Sequence, residues 1–455
     1  MNEELTDTPR GSESDATVTP PAEEQTGRDI CSAEPQPVKI SEQSIPQPQV
    51  AFKSPSAKAA PRRTLRSVVR RFKGYAISIG FGIIIAAMMI ASIVIVPSLR
   101  VFFSERMTAN GLGMFMVYWI AGMVILVAVM YAQIIIHEGG HLVCGLASGY
   151  RFVSFRVASL ILYRDGSRLR FGRFSIAGTA GQCLLEPPTG RIEDADRMPL
   201  GAYFMGGAAA NLTIAAAAAA LLATGIQNTA AAFTASMFLF TGIVTAAMNG
   251  LPIRVGGMPN DGLNARMMRR DIEIRRMLWI QLTVNAQYSR GRLLRDMPDE
   301  WFAIPQGADL ANHMYTSVAL FDVWRQIERR DFAAADDLLL RLHLREGHMI
   351  ELYRLETAVD RMFVAVMLQR PLQSIRNIFT DRVRAYVTAD ARYNISHALE
   401  LYAWERFVEG DAERAADRAE TIRRALPHHH AGGEATDCAE LLAWMETLPD
   451  NYLCN

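Results

Sequence analysis

Charged residues are absent from four stretches of the chain, 74–97, 111–136, 200–227 and 230–251. Each is long enough, at 1.5 Å per helical residue, to cross a hydrocarbon core about 30 Å thick. The pattern therefore predicts four membrane-spanning helices. The third and fourth are joined by a short link around Gln227-Asn228-Thr229, which predicts a tight antiparallel pair. Small residues from Gly206 to Ala210 and alanines over 215–220 allow those helices to approach closely. Between the second and third spans, Phe152-Val153-Ser154-Phe155-Arg156-Val157 and Leu169-Arg170-Phe171 alternate, with Arg164-Asp165-Gly166-Ser167 as a turn. That loop, 151–199, reads as a small β-hairpin insertion.

Beyond residue 262 the apolar positions take a helical period over Thr316 to Glu328, Ala333 to Leu344, Glu351 to Leu368 and His397 to Val408. Breaks fall at Arg330-Asp331, Arg370-Pro371 and Gly410-Asp411, about 40 residues apart. The stretch Phe407 to Ala415 is similar to the turn of a tetratricopeptide-type repeat. The expected fold is thus mainly α: a four-span membrane bundle over 74–262, then a degenerate repeat-like helical domain over 263–455 that faces the cytoplasm. Such arrays bind proteins or peptides, so a cytoplasmic partner is expected there.

Composition changes this picture at the N-terminus. Pro, Ser, Thr and Glu dominate the first fifty residues, which hold too little apolar surface to order themselves. The predicted tail, 1–73, ends in a basic block running from Lys53 to Lys73. An apolar run follows that block directly, so it reads as a juxtamembrane anchor with the N-terminus in the cytoplasm, and no nucleic-acid partner is expected. The first span starts too late and is too long for a cleaved signal peptide. Arg151, Arg156, Arg164, Arg168, Arg170 and Arg173 place the 151–199 loop in the cytoplasm too, with both termini there. Overall charge is uninformative, since 47 basic residues balance 47 acidic ones. Five scattered cysteines fit reduced thiols. His428-His429-His430, after Pro427, reads as surface decoration.

The chemistry concentrates at His137-Glu138-Gly139-Gly140-His141, at the cytoplasmic end of the second span. Histidines at i and i+4 lie about 40° apart around a helix, so both reach one metal ion. Glu138 is then placed as general base. An ionisable side chain at membrane depth costs roughly 2.5–3.5 kcal/mol, which makes such a cluster a functional site by default. The helix is expected to continue to about Ser148 and stop at Gly149. A catalytic zinc needs a third protein ligand. The extended HExxHxxGxxH form fails, because Cys144 and Ala147 stand at its Gly and His positions. Glu186 and Glu193 lie in a Pro/Gly-rich loop, Cys144 sits three residues past His141, and Asp261 follows the last span.

Three elements occur in order: His137-Glu138-x-x-His141, Gly207-x-x-x-Asn211, and Asn249-x-x-Pro252 leading to Asp261-Gly262. Over residues 111 to 265 the chain resembles the site-2 protease group of intramembrane zinc metallopeptidases, family M50. The resemblance implies His137, His141 and Asp261 as ligands of Zn2+, with Glu138 as the base that activates a zinc-polarised water. It also implies that Asn249 and Asn211 lie near the metal as donors to substrate backbone or oxyanion. In two respects the chain departs from the family pattern. Ala208 follows the motif glycine where proline is frequent, and the stretch before Asp261 is longer than the compact motif.

The expected activity is a zinc endopeptidase that cuts membrane-spanning or membrane-proximal protein or peptide substrates in the lipid bilayer of the cell membrane. An edge strand in the 151–199 loop would suit strand addition by an extended substrate. The alternative is a non-catalytic membrane receptor or scaffold that binds partners through 263–455. Glu138 speaks against it, since a structural metal site needs no base. A peptide exporter finds little support in four uninterrupted spans.

Overall fold

The computed structural model describes residues 80, 82–176, 179–255 and 257–454. The tail expected over 1–73 lies outside the described residues. The fold is mainly helical, with a small antiparallel sheet and three helices long and apolar enough to cross a membrane: Gly113–Ala147, Leu200–Ala223 and Thr229–Gly250.

The first expected span differs. Its described part, α1 (Gly82–Ile95), is shorter than the roughly 20 residues a crossing needs. It meets Pro97–Glu105 at a 96° bend, and only the bent pair together passes as a fourth span. Proline is the cause. Pro97 lacks an N–H and biases the residue before it toward extended backbone, where Val96 sits at φ −90° and ψ 111°. The same fixed φ suits the first turn of a new helix. Helix α2 therefore runs unbroken over Pro97–Ala147, 51 residues, through positions expected to be a link. It ends as its sequence predicts, with Ser148 as C-cap and Gly149 at φ +88°.

Four strands follow where a hairpin was expected: β1 (Arg151–Val157), β2 (Leu160–Asp165), β3 (Arg168–Arg173) and β4 (Gly181–Glu186). Their order is β3-β2-β1-β4, and every pair is antiparallel. The turn at Gly166 is present, at φ +58°, but a second turn through Ala158 at φ 52° starts β2. Strand β4 hides in a Pro/Gly-rich stretch and pairs only with β1, so its far edge is free of other strands. Cys183 and Leu185 of β4 are buried in one cluster with Tyr150 and Tyr203. Leu185 presses on α2 at Gly145, where a Cβ would lie 2.2 Å from its Cδ1.

Helices α3 (Leu200–Ala223) and α4 (Thr229–Gly250) form the expected pair, with Asn228 capping α4 through Ala231 N–H. Helices α2 and α3 touch backbone to backbone. A Cβ at Gly140 would lie 2.3 Å from the Gly206 carbonyl oxygen, and one at Gly206 would lie 2.5 Å from that of Gly140. After α4, a two-stranded hairpin of β5 (Arg254–Val255) and β6 (Met258–Pro259) leads into α5 (Asp261–Arg270) and α6 (Ile272–Ser289). Helices α7 (His313–Glu328), α8 (Phe332–His343), α9 (Glu351–Met367), α10 (Leu372–Ile378), α11 (Asp381–Asp390), α12 (Ile395–Ala403), α13 (Ala412–Ala425) and α14 (Gly432–Glu446) build the C-terminal region. The helix breaks fall as expected, through left-handed backbone at Arg330, Gln369 and Gly410. These helices share one large apolar core, while α6 and α7 join β4 and the end of α3 in a second.

Overpacking at the glycine contact tests this geometry. Gly206→Val should destabilise the protein by about 1–3 kcal/mol, read as a lower thermal midpoint in detergent. An unchanged midpoint would show that the helices separate freely.

Candidate metal centre

The HExxH residues lie in the last turns of α2, and all three of its polar side chains are nearly closed off, with His137 and His141 each 7% exposed and Glu138 9%. Each imidazole is oriented from behind. His137 Nδ1 lies 2.8 Å from Asn211 Oδ1, and His141 Nδ1 lies 2.7 Å from the Tyr203 carbonyl oxygen. Both partners only accept, so each ring keeps its proton on Nδ1 and turns the Nε2 lone pair forward. The Asn211 amide is anchored in turn, because its Nδ2 donates to Gln133 O at 3.1 Å and to Gln133 Oε1 at 2.6 Å. A second layer of this kind fixes tautomer and ring angle in metal sites.

Asp261 completes the front. Its Oδ2 lies 3.0 Å from His137 Nε2 and 3.2 Å from His141 Nε2, and the two Nε2 atoms are 3.1 Å apart. This is the one group of three potential metal donors clustered within 4.8 Å among the described residues. A tetrahedral ion with bonds of about 2.0–2.1 Å sets its donors about 3.3–3.4 Å apart, so the triangle is nearly the right size. Two lone pairs and a carboxylate oxygen that face one another repel unless a cation lies between them. The donor set of two imidazoles and one carboxylate suits zinc with an open fourth position.

The lengthened stretch before Asp261 is absorbed by the β5–β6 hairpin, which turns through Gly257 at φ +91° and returns beside its start. Asn260, which the sequence reading missed, closes the loop. Its Oδ1 caps α5 at Leu263 N–H, 2.9 Å away, while its Nδ2 donates to the carbonyls of Met248 and Leu251 at the end of α4. A short polar residue just before a helix with an acid in its first turn is a legible capping signal. Gly262 then lies so close that a Cβ would be 2.2 Å from the Gly250 carbonyl oxygen. Gly207 has the parallel role on α3, since a Cβ there would lie 2.5 Å from His137 Cε1 and 2.6 Å from His141 Nε2.

A cavity of about 470 Å³ opens in front of the donors, lined by Glu138, Asn249 and residues 179–183, among others. No described residue makes a hydrogen bond or ion pair to the Glu138 carboxylate. Gly181 of β4 lies against it, and a Cβ there would be 2.5 Å from Glu138 Oε1. Arg156 holds this strand. Counted above among the loop arginines, it is fully buried and donates to Ala158 O at 2.7 Å, to Thr179 Oγ1 and to Gly181 O at 3.3 Å.

The expected residues thus separate. His137, His141, Glu138, Asp261 and Asn249 share the cavity, with Asn249 Nδ2 donating back to Thr245 O at 2.9 Å. Asn211 sits behind His137 with both ends of its amide in use. Glu186 is bound to Arg290, Glu193 to Arg191, and Cys144 lies against Gly206. Gln133, a lone amide in an apolar run, was a detectable signal that went unread. Comparison with protein-family models, with curated proteins and with solved structures finds no match.

Asn211→Ala removes the brace of His137 and should weaken metal binding about 10–100-fold, measured by competition with a chromogenic chelator. Unchanged affinity would mean that the ring is held by other contacts.

Proposed function

We propose that the chain is a site-2 protease-like (M50) zinc metalloendopeptidase of the cell membrane, with His137, His141 and Asp261 as metal ligands and Glu138 as general base. The observation that carries this reading is the unpaired Glu138 carboxylate beside three convergent donors. A structural metal site has no use for a free carboxylate, whose burial is costly. Zinc at the three donors would supply Lewis acidity and lower the pKa of a water to about 7. Glu138 accepts the proton of the attacking water and returns it to the amide nitrogen as the C–N bond breaks. Asn249 brings a side-chain amide to the cavity, placed to donate to a substrate carbonyl.

Substrate presentation falls to β4. Residues 181–183 of β4 border the cavity, and no strand of the described residues covers its far edge, so an extended peptide that adds there would lie across the donors. The membrane setting is supported by the exposed apolar face of α2, where Ile135 is 51% and Val143 67% exposed. With the arginines of β1–β3 inside the cell, the sheet and the helices after Asp261 lie in the cytoplasm, as does the N-terminus. Helix α1, which meets α2 at the 96° bend, then supplies the fourth span of a multi-pass protein. The C-terminal helices act as a repeat-like domain that binds a cytoplasmic protein partner.

Glu138→Gln should retain zinc, read by metal analysis of the purified protein, and lose at least about 100-fold in cleavage of a membrane substrate. Asp261→Ala should lose the metal itself. Full cleavage by Glu138→Gln would overturn the catalytic assignment, and full zinc content in Asp261→Ala would overturn the third ligand.

A further inference from the structure

A second cavity, of about 240 Å³, lies between the sheet and the C-terminal helices, on the opposite side of β4 from the metal donors. Ser154, Ile161 and Gln182 form its floor, and Phe174, Tyr288, Phe321 and Trp324 bring aromatic rings to its wall. Glu356, His397 and Glu434 bring charge. Two of the histidines that looked like surface decoration, His429 and His430, belong here, while His428 is exposed. His429 Nε2 lies 2.8 Å from Glu434 Oε2, and the His430 ring packs 4.2 Å from that of Phe174.

The charges do not balance. His397 lies between Glu356 at 3.1 Å and Asp390 at 2.9 Å, with Glu400 at 3.9 Å, and Asp360 stands close by on α9. Five carboxyl groups, with Glu434, thus face two imidazoles; the neutral donors Tyr386, Ser396 and Trp324 bond to Glu356, Glu434 and Asp360, and among the described residues no arginine pairs with any of the five. Burial pushes Asp360 up to about 7 and Glu400 well above the usual range, so these two retain a proton between them. Glu356 and Glu434 stay ionised; burial opposes this, but the imidazoles of His397 and His429 outweigh it. Burial drives His430 down to about 3, so it adds no positive charge. Acidic groups of the same domain that face solvent are treated differently, as Glu409 pairs with Arg384 and Arg414.

Polar capacity is also left over. Ser154 is 5% exposed, and its hydroxyl, open to the cavity, has no hydrogen-bond partner among the described residues. A buried hydroxyl without a partner and an excess of buried anionic groups are each unfavourable, and both are relieved by a cationic donor inside the cavity. Aromatic walls stabilise organic cations through the ring faces. The volume lies below the range for drug-sized ligands, which limits the guest to roughly amino-acid size.

We propose that this junction cavity binds a small organic ammonium with an apolar body, its charged nitrogen between Glu356 and Glu434 and its apolar part against Trp324 and Phe321. The site is independent of the peptidase reading as a binding site. Its position suggests what it controls: Gln182 lines both cavities, and its neighbour Gly181 lies against Glu138. On the peptidase reading, occupation therefore bears on the strand that backs the catalytic base.

The test uses the full-length chain in detergent, carrying Glu138→Gln so that catalysis is irrelevant, and titrates 2-phenylethylamine by calorimetry against neutral 2-phenylethanol. Saturable binding of the amine, at least tenfold tighter than the alcohol, is expected. Glu434→Gln, which keeps the shape and removes the charge, should weaken the amine at least tenfold, and Ser154→Leu, which fills the floor, should abolish binding. Glu413→Gln on the exposed face of α13 should change nothing, and thermal midpoints of the unliganded variants show that each is folded. Equal binding of amine and alcohol, or unchanged amine binding in folded Glu434→Gln and Ser154→Leu, overturns the proposal. Amine binding with no effect on cleavage by the unmodified chain would leave the site standing and remove its link to β4.

Discussion

The backbone contact between α2 and α3 is the constraint on which the rest of the structure depends. Gly140 and Gly206 meet with no side chain between them, and this brings a row of α3 positions four residues apart against a matching row of α2. Tyr203, Gly207 and Asn211 form the first row, and Gln133, His137 and His141 the second. Each member has a definite task. The Tyr203 carbonyl orients one ring, the bare Cα of Gly207 makes room for both, and Asn211 orients the other and is itself held by Gln133. Interlocking of i, i+4 rows is an ordinary packing mode, but here the ridges carry polar side chains and candidate metal donors instead of leucines.

From that contact the site grows outward. The third donor arrives from a different part of the chain, and its placement depends on Asn260, which ties α5 to the carbonyls at the end of α4. The wall opposite the donors is β4, set by Arg156 on one side and by Leu185 against α2 on the other. The long apolar helices, the sheet and the C-terminal helices therefore meet at one strand. A guest or partner on either side of β4 acts on the same few backbone atoms, which gives the fold a direct physical link between its two cavities.

Much of this was legible in the residues. Apolar runs identified three crossing helices, the alternation over 152–157 identified β1, and the spacing of His137 and His141 identified the donors. Resemblance to a known group pointed to Asp261, and the structure brings it to both histidines. Other features could not be read. The 96° bend at Pro97 depends on a helix resuming beyond it, which hydropathy does not record. Strand β4 has too short a pattern to stand out, and β2 required a left-handed residue at Ala158 that no local rule favours. Arg156 counted as a loop charge because composition carries no burial, and His429 and His430 counted as surface for the same reason.

The sequence by itself determined which segments are apolar enough to leave water, and which helix face carries two imidazoles and a carboxylate, because both follow from periodicity along one element. Only the tertiary structure decided that Asp261 reaches them, that Asn211 stands behind His137 instead of facing the cavity, and that β4 lies against Glu138. These depend on distances between elements far apart in the chain. Such distances are set by whether two backbones can touch, which here rests on the glycines at 140, 206, 207 and 262.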